Sequence, residues 1–180
     1  IDYMDEEITK PSVFIDESKL SSQYVPPNLL YRTDNLKTCA RHFKSILNRD
    51  QNLTRKMVIT GPVGSGKTSI AKKVGQWMIK KRETENVNIV YVYINCRNTK
   101  TQFMTLSAIA KNLNPHVPSR GYSADELMEM IVEILESKKL TLFLVLDEID
   151  HVPISESNEL LYSLSRTIDE REAPQHKLGI

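Results

Sequence analysis

Long apolar runs, cysteine and excess charge are all scarce in this chain, and each shortage narrows what it can be. No stretch approaches the roughly 20 apolar residues of a membrane-spanning helix, and no signal-peptide pattern opens the sequence. The two cysteines, Cys39 and Cys96, stand far apart and form no metal-ligand spacing. The expectation is two reduced, packed thiols in a cytosolic protein. A formal net charge of +1 leaves no overall footprint for nucleic acid or a membrane surface. Any contact with DNA must then come from a local patch or from residues outside these 180. Repeats and low-complexity segments are missing as well. Glycine is sparse, yet three of the six fall within one short stretch, Gly61 to Gly66.

The bulk composition is ordinary: 40% hydrophobic and 26% charged residues suit a globular protein, and 180 residues suit one α/β domain with a substantial core. The informative stretch is Gly61-Pro62-Val63-Gly64-Ser65-Gly66-Lys67-Thr68, a complete G-x-x-x-x-G-K-[ST] loop, followed by Ser69. Before it, Lys56-Met57-Val58-Ile59-Thr60 predicts a short buried strand. After it, Ile70, Val74, Trp77 and Met78 recur at helical spacing. Strand, glycine turn and helix start is the context in which this motif binds phosphate. The glycines let successive N–H groups point inward, and the helix N-terminus adds its positive dipole end. Lys67 would reach the β/γ-phosphates, and the Thr68 hydroxyl would ligate Mg²⁺. A glycine-rich connector is the alternative, and it explains neither flank.

Residues 1–23 carry Asp2, Asp5, Glu6, Glu7, Asp16 and Glu17, with Val13-Phe14-Ile15 as their apolar cluster. They predict a solvated acidic arm with one docked patch. Tyr24-Val25-Pro26-Pro27 then enforces an extended approach. From composition alone, that segment packs over an adenine ring or is a plain surface linker. Thr33 is a candidate N-cap for a helix whose inner face is Leu36, Ala40, Phe43 and Leu47. Ile89 to Ile94 predicts a strand covered on both faces, ended by Asn95-Cys96-Arg97. Phe103, Leu106, Ala110 and Leu113 make one helical stripe. Ser123 and Glu126 form a capping box for another, carrying Leu127, Ile131, Ile134 and Leu135. Arg120 sits on the exposed turn between the two.

Leu140 to Leu146 is the most hydrophobic run, and it leads into Asp147-Glu148-Ile149-Asp150. A buried parallel strand ending in carboxylates completes a Mg²⁺-nucleotide site opposite a phosphate loop. Asp147 would hold Mg²⁺ through its bound waters. Glu148, pointing the other way in a strand, would orient the attacking water. Asp150 and His151 are ordinary surface residues on this reading. Leu160, Leu161, Leu164 and Ile168 predict a further helix. Leu178-Gly179-Ile180 would open another strand, and a start at Ile1 fits a piece of a longer protein.

This order of parts resembles an AAA+ ATPase, and more narrowly the archaeal origin-recognition and cell-division-control initiator family. The resemblance rests on Tyr24-Val25-Pro26 with Leu30 and Arg32, the Gly61–Thr68 loop, Asn95-Cys96-Arg97, Val117 to Gly121, the Asp147 to Asp150 box and Leu160 to Arg166. It implies an α/β, three-layer P-loop NTPase with a parallel sheet flanked by helices, over residues 24–180. It also implies that Tyr24, Val25 and Pro26 line an adenine pocket, so that the ligand is ATP with Mg²⁺. The implied function is an initiator with weak ATPase activity that recognises duplex origin DNA, mainly through parts beyond Ile180, and helps load the replicative helicase. Self-association or paralogue contacts and a cytoplasmic, nucleoid-associated setting follow from the same resemblance, with no membrane partner. Two alternatives are an AAA+ ATPase that remodels protein partners and a nucleotide-gated DNA-binding module with little turnover.

Overall fold

Two runs rich in β-branched and aromatic residues form the centre of the fold: β1, Ile89–Asn95, and β2, Thr141–Asp147. They pair in parallel from Ile89 against Thr141 to Asn95 against Asp147, so both strands end at one level. A two-residue β3, Leu178–Gly179, pairs in parallel with the other edge of β2. The computed structural model describes residues 3–8, 14–21, 24–47, 55–118, 120–169 and 178–179. Its helices are α1 (Tyr3–Ile8), α2 (Thr33–Phe43), α3 (Lys67–Glu85), α4 (Cys96–Thr99), α5 (Gln102–Leu113), α6 (Ala124–Ser137) and α7 (Ile154–Asp169). None of them is long and apolar enough to cross a membrane.

The pleat sends alternate strand residues to opposite faces, and each face has its own core. Val92, Ile94, Leu142 and Leu144 pack against α5, α6 and α7 through Leu106, Ile109, Leu127, Ile131, Leu160 and Leu164. Ile89 and Phe143 pack the other way, against Phe43 of α2 and Ile70, Val74 and Met78 of α3. The rings of Phe43 and Phe143 meet edge to face at 5.0 Å. Helices on both faces of a parallel sheet make the expected α/β layering.

Helix α3 is held against β1 in three rungs. Its first turn places Thr68 against the end of β2, its second places the Lys72 ammonium 5.1 Å from the Tyr93 ring centroid, and its third places Gly75 on Tyr91. A Cβ on Gly75 would overlap the Tyr91 ring, so glycine lets the helix approach the sheet this closely. On the other face of the sheet, the capping box on α6 forms as expected. Ser123 Oγ accepts from the Glu126 N–H at 3.2 Å, and Glu126 Oε2 accepts from the Ser123 N–H at 2.6 Å. That second bond holds the Glu126 carboxyl below its usual range.

Four expectations change. Lys56–Thr60 is not a strand: among the described residues no strand pairs with it, and Val58 is 84% exposed. Helix α2 begins at Thr33 itself, with Arg32 in the capping position and no side-chain cap. Phe14 and Ile15 are exposed rather than docked, while Val13 lies outside the described residues. Lys80-Lys81-Arg82, which by charge alone suit the end of the helix after the loop, lie inside α3 instead: the helix runs on to Glu85, where Lys81 pairs with Glu85 at 2.8 Å. Arg171, which the sequence places on the helix carrying Leu160 to Ile168, lies outside the described residues.

Candidate nucleotide site

The loop between Gly61 and Thr68 turns on left-handed backbone at Gly64 (φ 77°) and Gly66 (φ 85°), which glycine adopts without a Cβ penalty. Gly66 is also the N-cap of α3, so the loop delivers its N–H groups to the positive end of a 19-residue helix. Lys67 curls back over the loop, its Nζ donating to the carbonyls of Gly61 (2.9 Å) and Pro62 (3.0 Å). The ammonium therefore lies within the loop's own curve.

Across the sheet end, Thr68 Oγ1 donates to Asp147 Oδ2 at 2.8 Å, joining residues 79 apart in sequence. The Tyr93 hydroxyl donates to the same oxygen at 2.6 Å. Burial and that bond push the Tyr93 phenol well above its ordinary range, so it stays a neutral donor. Burial, with the Asp147 charge behind it, lifts Tyr91 to about 12. Cys96, at the end of β1, is fully buried, and its thiol is raised to about 11. It is thus a protonated packing residue at neutral pH, as expected; Cys39 is buried and raised too.

Glu148 leaves the strand. Its backbone is left-handed (φ 55°, ψ 42°), and it caps the 3-10 turn Ile149–His151. Strand alternation therefore does not aim this side chain; a turn does. It is half-buried, and among the described residues no hydrogen-bond donor reaches its carboxylate. Asp150 and His151 pair at 3.7 Å on the exposed side of that turn.

The segment leading to the loop is tied to it by two cations. Arg32 Nη2 donates to the Ser65 carbonyl at 2.8 Å, and Lys73 Nζ donates to the Pro26 carbonyl at 3.2 Å. Val25 and Pro26 are half-buried, while Tyr24 is 37% exposed. Neither Arg32 nor Tyr93 was marked as a site residue by the sequence pattern, since both contacts are made across the fold. A groove of about 520 Å³ lies farther along α3, lined by Pro27 to Tyr31, Leu36, Ala40, Lys73 and Trp77. It includes no residue of the phosphate loop and none of Tyr24, Val25 or Pro26.

The oxygen donors fit a hard cation. One carboxylate and one hydroxyl already in contact suit Mg²⁺, which keeps several waters and completes its shell with phosphate oxygens. No cluster of three or more His, Cys, Asp or Glu that could hold a metal occurs among the described residues. A site of this kind needs substrate oxygens.

Residues 50–179 match the AAA domain family. The chain is 32% identical to the ORC1-type DNA replication protein 2 of Sulfurisphaera tokodaii, over 96% of this chain and 41% of that protein. It is 36% identical to the ORC1-type DNA replication protein 2 of Saccharolobus solfataricus, over 87% of this chain and 38% of that protein. Among solved structures, the Aeropyrum pernix ORC1 protein in complex with DNA is similar, with a TM-score of 0.77 and 28% identity over 92% of this chain and 42% of that one. The chain spans about two fifths of the length of the curated relatives it matches.

Proposed function

Since the chain belongs to the AAA domain family, in the archaeal ORC1-type branch of it, we propose that it is the nucleotide-binding part of an ATP-dependent replication initiator. In this reading residues 1–23 are an acidic arm and residues 24–180 the ATP-binding domain. The intact protein recognises duplex origin DNA, helps load the replicative helicase, contacts copies or paralogues of itself, and works in the cytoplasm on nucleoid DNA. The observation that carries the ATP reading is the 2.8 Å bond from Thr68 to Asp147, which brings the two halves of the motif together.

The mechanism follows from the residues. The N–H groups from Gly61 to Ser69 receive the phosphates. Lys67 exchanges the Gly61 and Pro62 carbonyls for β/γ-phosphate oxygens, a stronger charge-assisted bond. Thr68 and Asp147 would hold Mg²⁺, which neutralises charge building on the transferring phosphoryl group. Glu148, without a protein donor among the described residues, accepts a hydrogen bond from the attacking water and aligns it. Tyr24, Val25 and Pro26, held to α3 through Lys73, supply the adenine side.

Duplex binding by the intact protein tests the initiator reading. Origin-region DNA should bind more tightly than scrambled DNA of equal length, and the preference should survive rising salt. Equal binding that salt erases would reduce the DNA contact to phosphate attraction and favour an ATPase acting on protein partners.

A further inference from the structure

Asp147 has two donors on one oxygen, and only one belongs to the phosphate-loop motif. Directly opposite Asp147 in the sheet register stands Asn95, the obvious neighbour for its carboxylate. Asn95 is engaged elsewhere: its Oδ1 accepts from the Arg97 N–H at 2.9 Å and caps α4. The position that reaches Asp147 is Tyr93, two residues earlier on β1 and on the same face of the pleat. With strands about 4.8 Å apart and a rise of about 3.3 Å per residue, that diagonal spans roughly 8 Å between backbones, a gap a tyrosine can bridge and a short side chain cannot. The Tyr93 hydroxyl closes it at 2.6 Å. The ring is fixed from above by Lys72, one turn along α3 from Thr68.

We propose that Tyr93 is a positioning residue for the divalent cation: its hydroxyl holds Asp147 Oδ2 against Thr68, so that carboxylate and hydroxyl are presented together. This rests on the Mg²⁺-nucleotide reading above. A carboxylate held by Thr68 alone rotates about its terminal torsion, which has broad, shallow wells. A second donor on the same oxygen removes that freedom before the cation arrives. Groups that orient a metal's ligands this way typically matter about 10–100-fold in metal affinity or activity. Tyr93 touches no reacting atom, so its effect should follow the cation and spare nucleotide contacts made without it.

The test is Mg²⁺-dependent nucleotide binding by wild type, Tyr93→Phe and Lys67→Ala, read with a fluorescent ADP analogue, first in EDTA and then along a Mg²⁺ titration. Tyr93→Phe should match wild type in EDTA and need about 10-fold more Mg²⁺ to reach half of its tightened affinity. An unchanged Mg²⁺ midpoint overturns the proposal. A cycle with Asp147→Asn separates orientation from general loosening of the sheet: adding Tyr93→Phe to Asp147→Asn should change the midpoint less than twofold. A further shift as large as in wild type would contradict action through Asp147. If wild type binds no nucleotide, or Lys67→Ala binds as well as wild type, the underlying site reading fails instead.

Discussion

Glu148 concentrates the relation between stability and function at the scale of one residue. A glutamate at φ 55° occupies left-handed space that costs non-glycine residues of order 1–3 kcal/mol. That backbone turns the side chain out of the strand direction, and the proposed function assigns it the alignment of an attacking water. Asparagine tolerates this conformation better than glutamate does. Glu148→Asn should therefore unfold at the same temperature as wild type or a higher one, while ATP turnover by the intact protein falls by about 10²–10⁴-fold. Glu148→Gln should keep ATP affinity and lose turnover to a similar extent. Undiminished hydrolysis in both variants would remove Glu148 from the water-positioning role. Arg32 is the other residue whose part emerges only in three dimensions: its guanidinium binds the loop through the Ser65 carbonyl.

At the scale of elements, α3 is the organiser. Thr68, Lys72 and Gly75 meet Asp147, Tyr93 and Tyr91 on successive turns, so the closeness of helix to sheet sets the geometry of the site. Gly75→Ala should disturb it. Alanine's better helix propensity contributes about 1 kcal/mol, but the overpacking penalty is about 1–3 kcal/mol. The penalty should win, because Phe143 backs the Tyr91 ring at 6.0 Å between centroids. Chemical denaturation should show a net loss of up to about 2 kcal/mol, and a raised midpoint would contradict this packing account.

Several elements were legible in sequence because their signals are local. The phosphate loop, the capping box at Ser123 and Glu126, and the apolar periodicities of α5 and α6 depend on neighbours within a few residues. The Lys56–Thr60 run failed because its β-branched composition expresses a preference that only a pairing strand realises. For Glu148, strand alternation gives the wrong cause of the side chain's direction, since it cannot foresee a left-handed turn. Tyr93 was legible only as strand, as its partner depends on register between β1 and β2.

The whole molecule is a sheet with one core on each face, and the candidate site lies at the end where β1 and β2 stop together. One face carries α3 and the loop; the other, packed by α5, α6 and α7, fixes β2 and so the height of Asp147. The candidate site is thus assembled by tertiary structure from residues 61 to 148, and ATP is the ligand we propose for it. The most direct measurement is calorimetric titration of the full chain with ATP and Mg²⁺, for wild type and Lys67→Ala, with circular dichroism of both. The account predicts saturable one-site binding by wild type, at least tenfold weaker binding by Lys67→Ala, and identical spectra; equal affinity of the two proteins would contradict it.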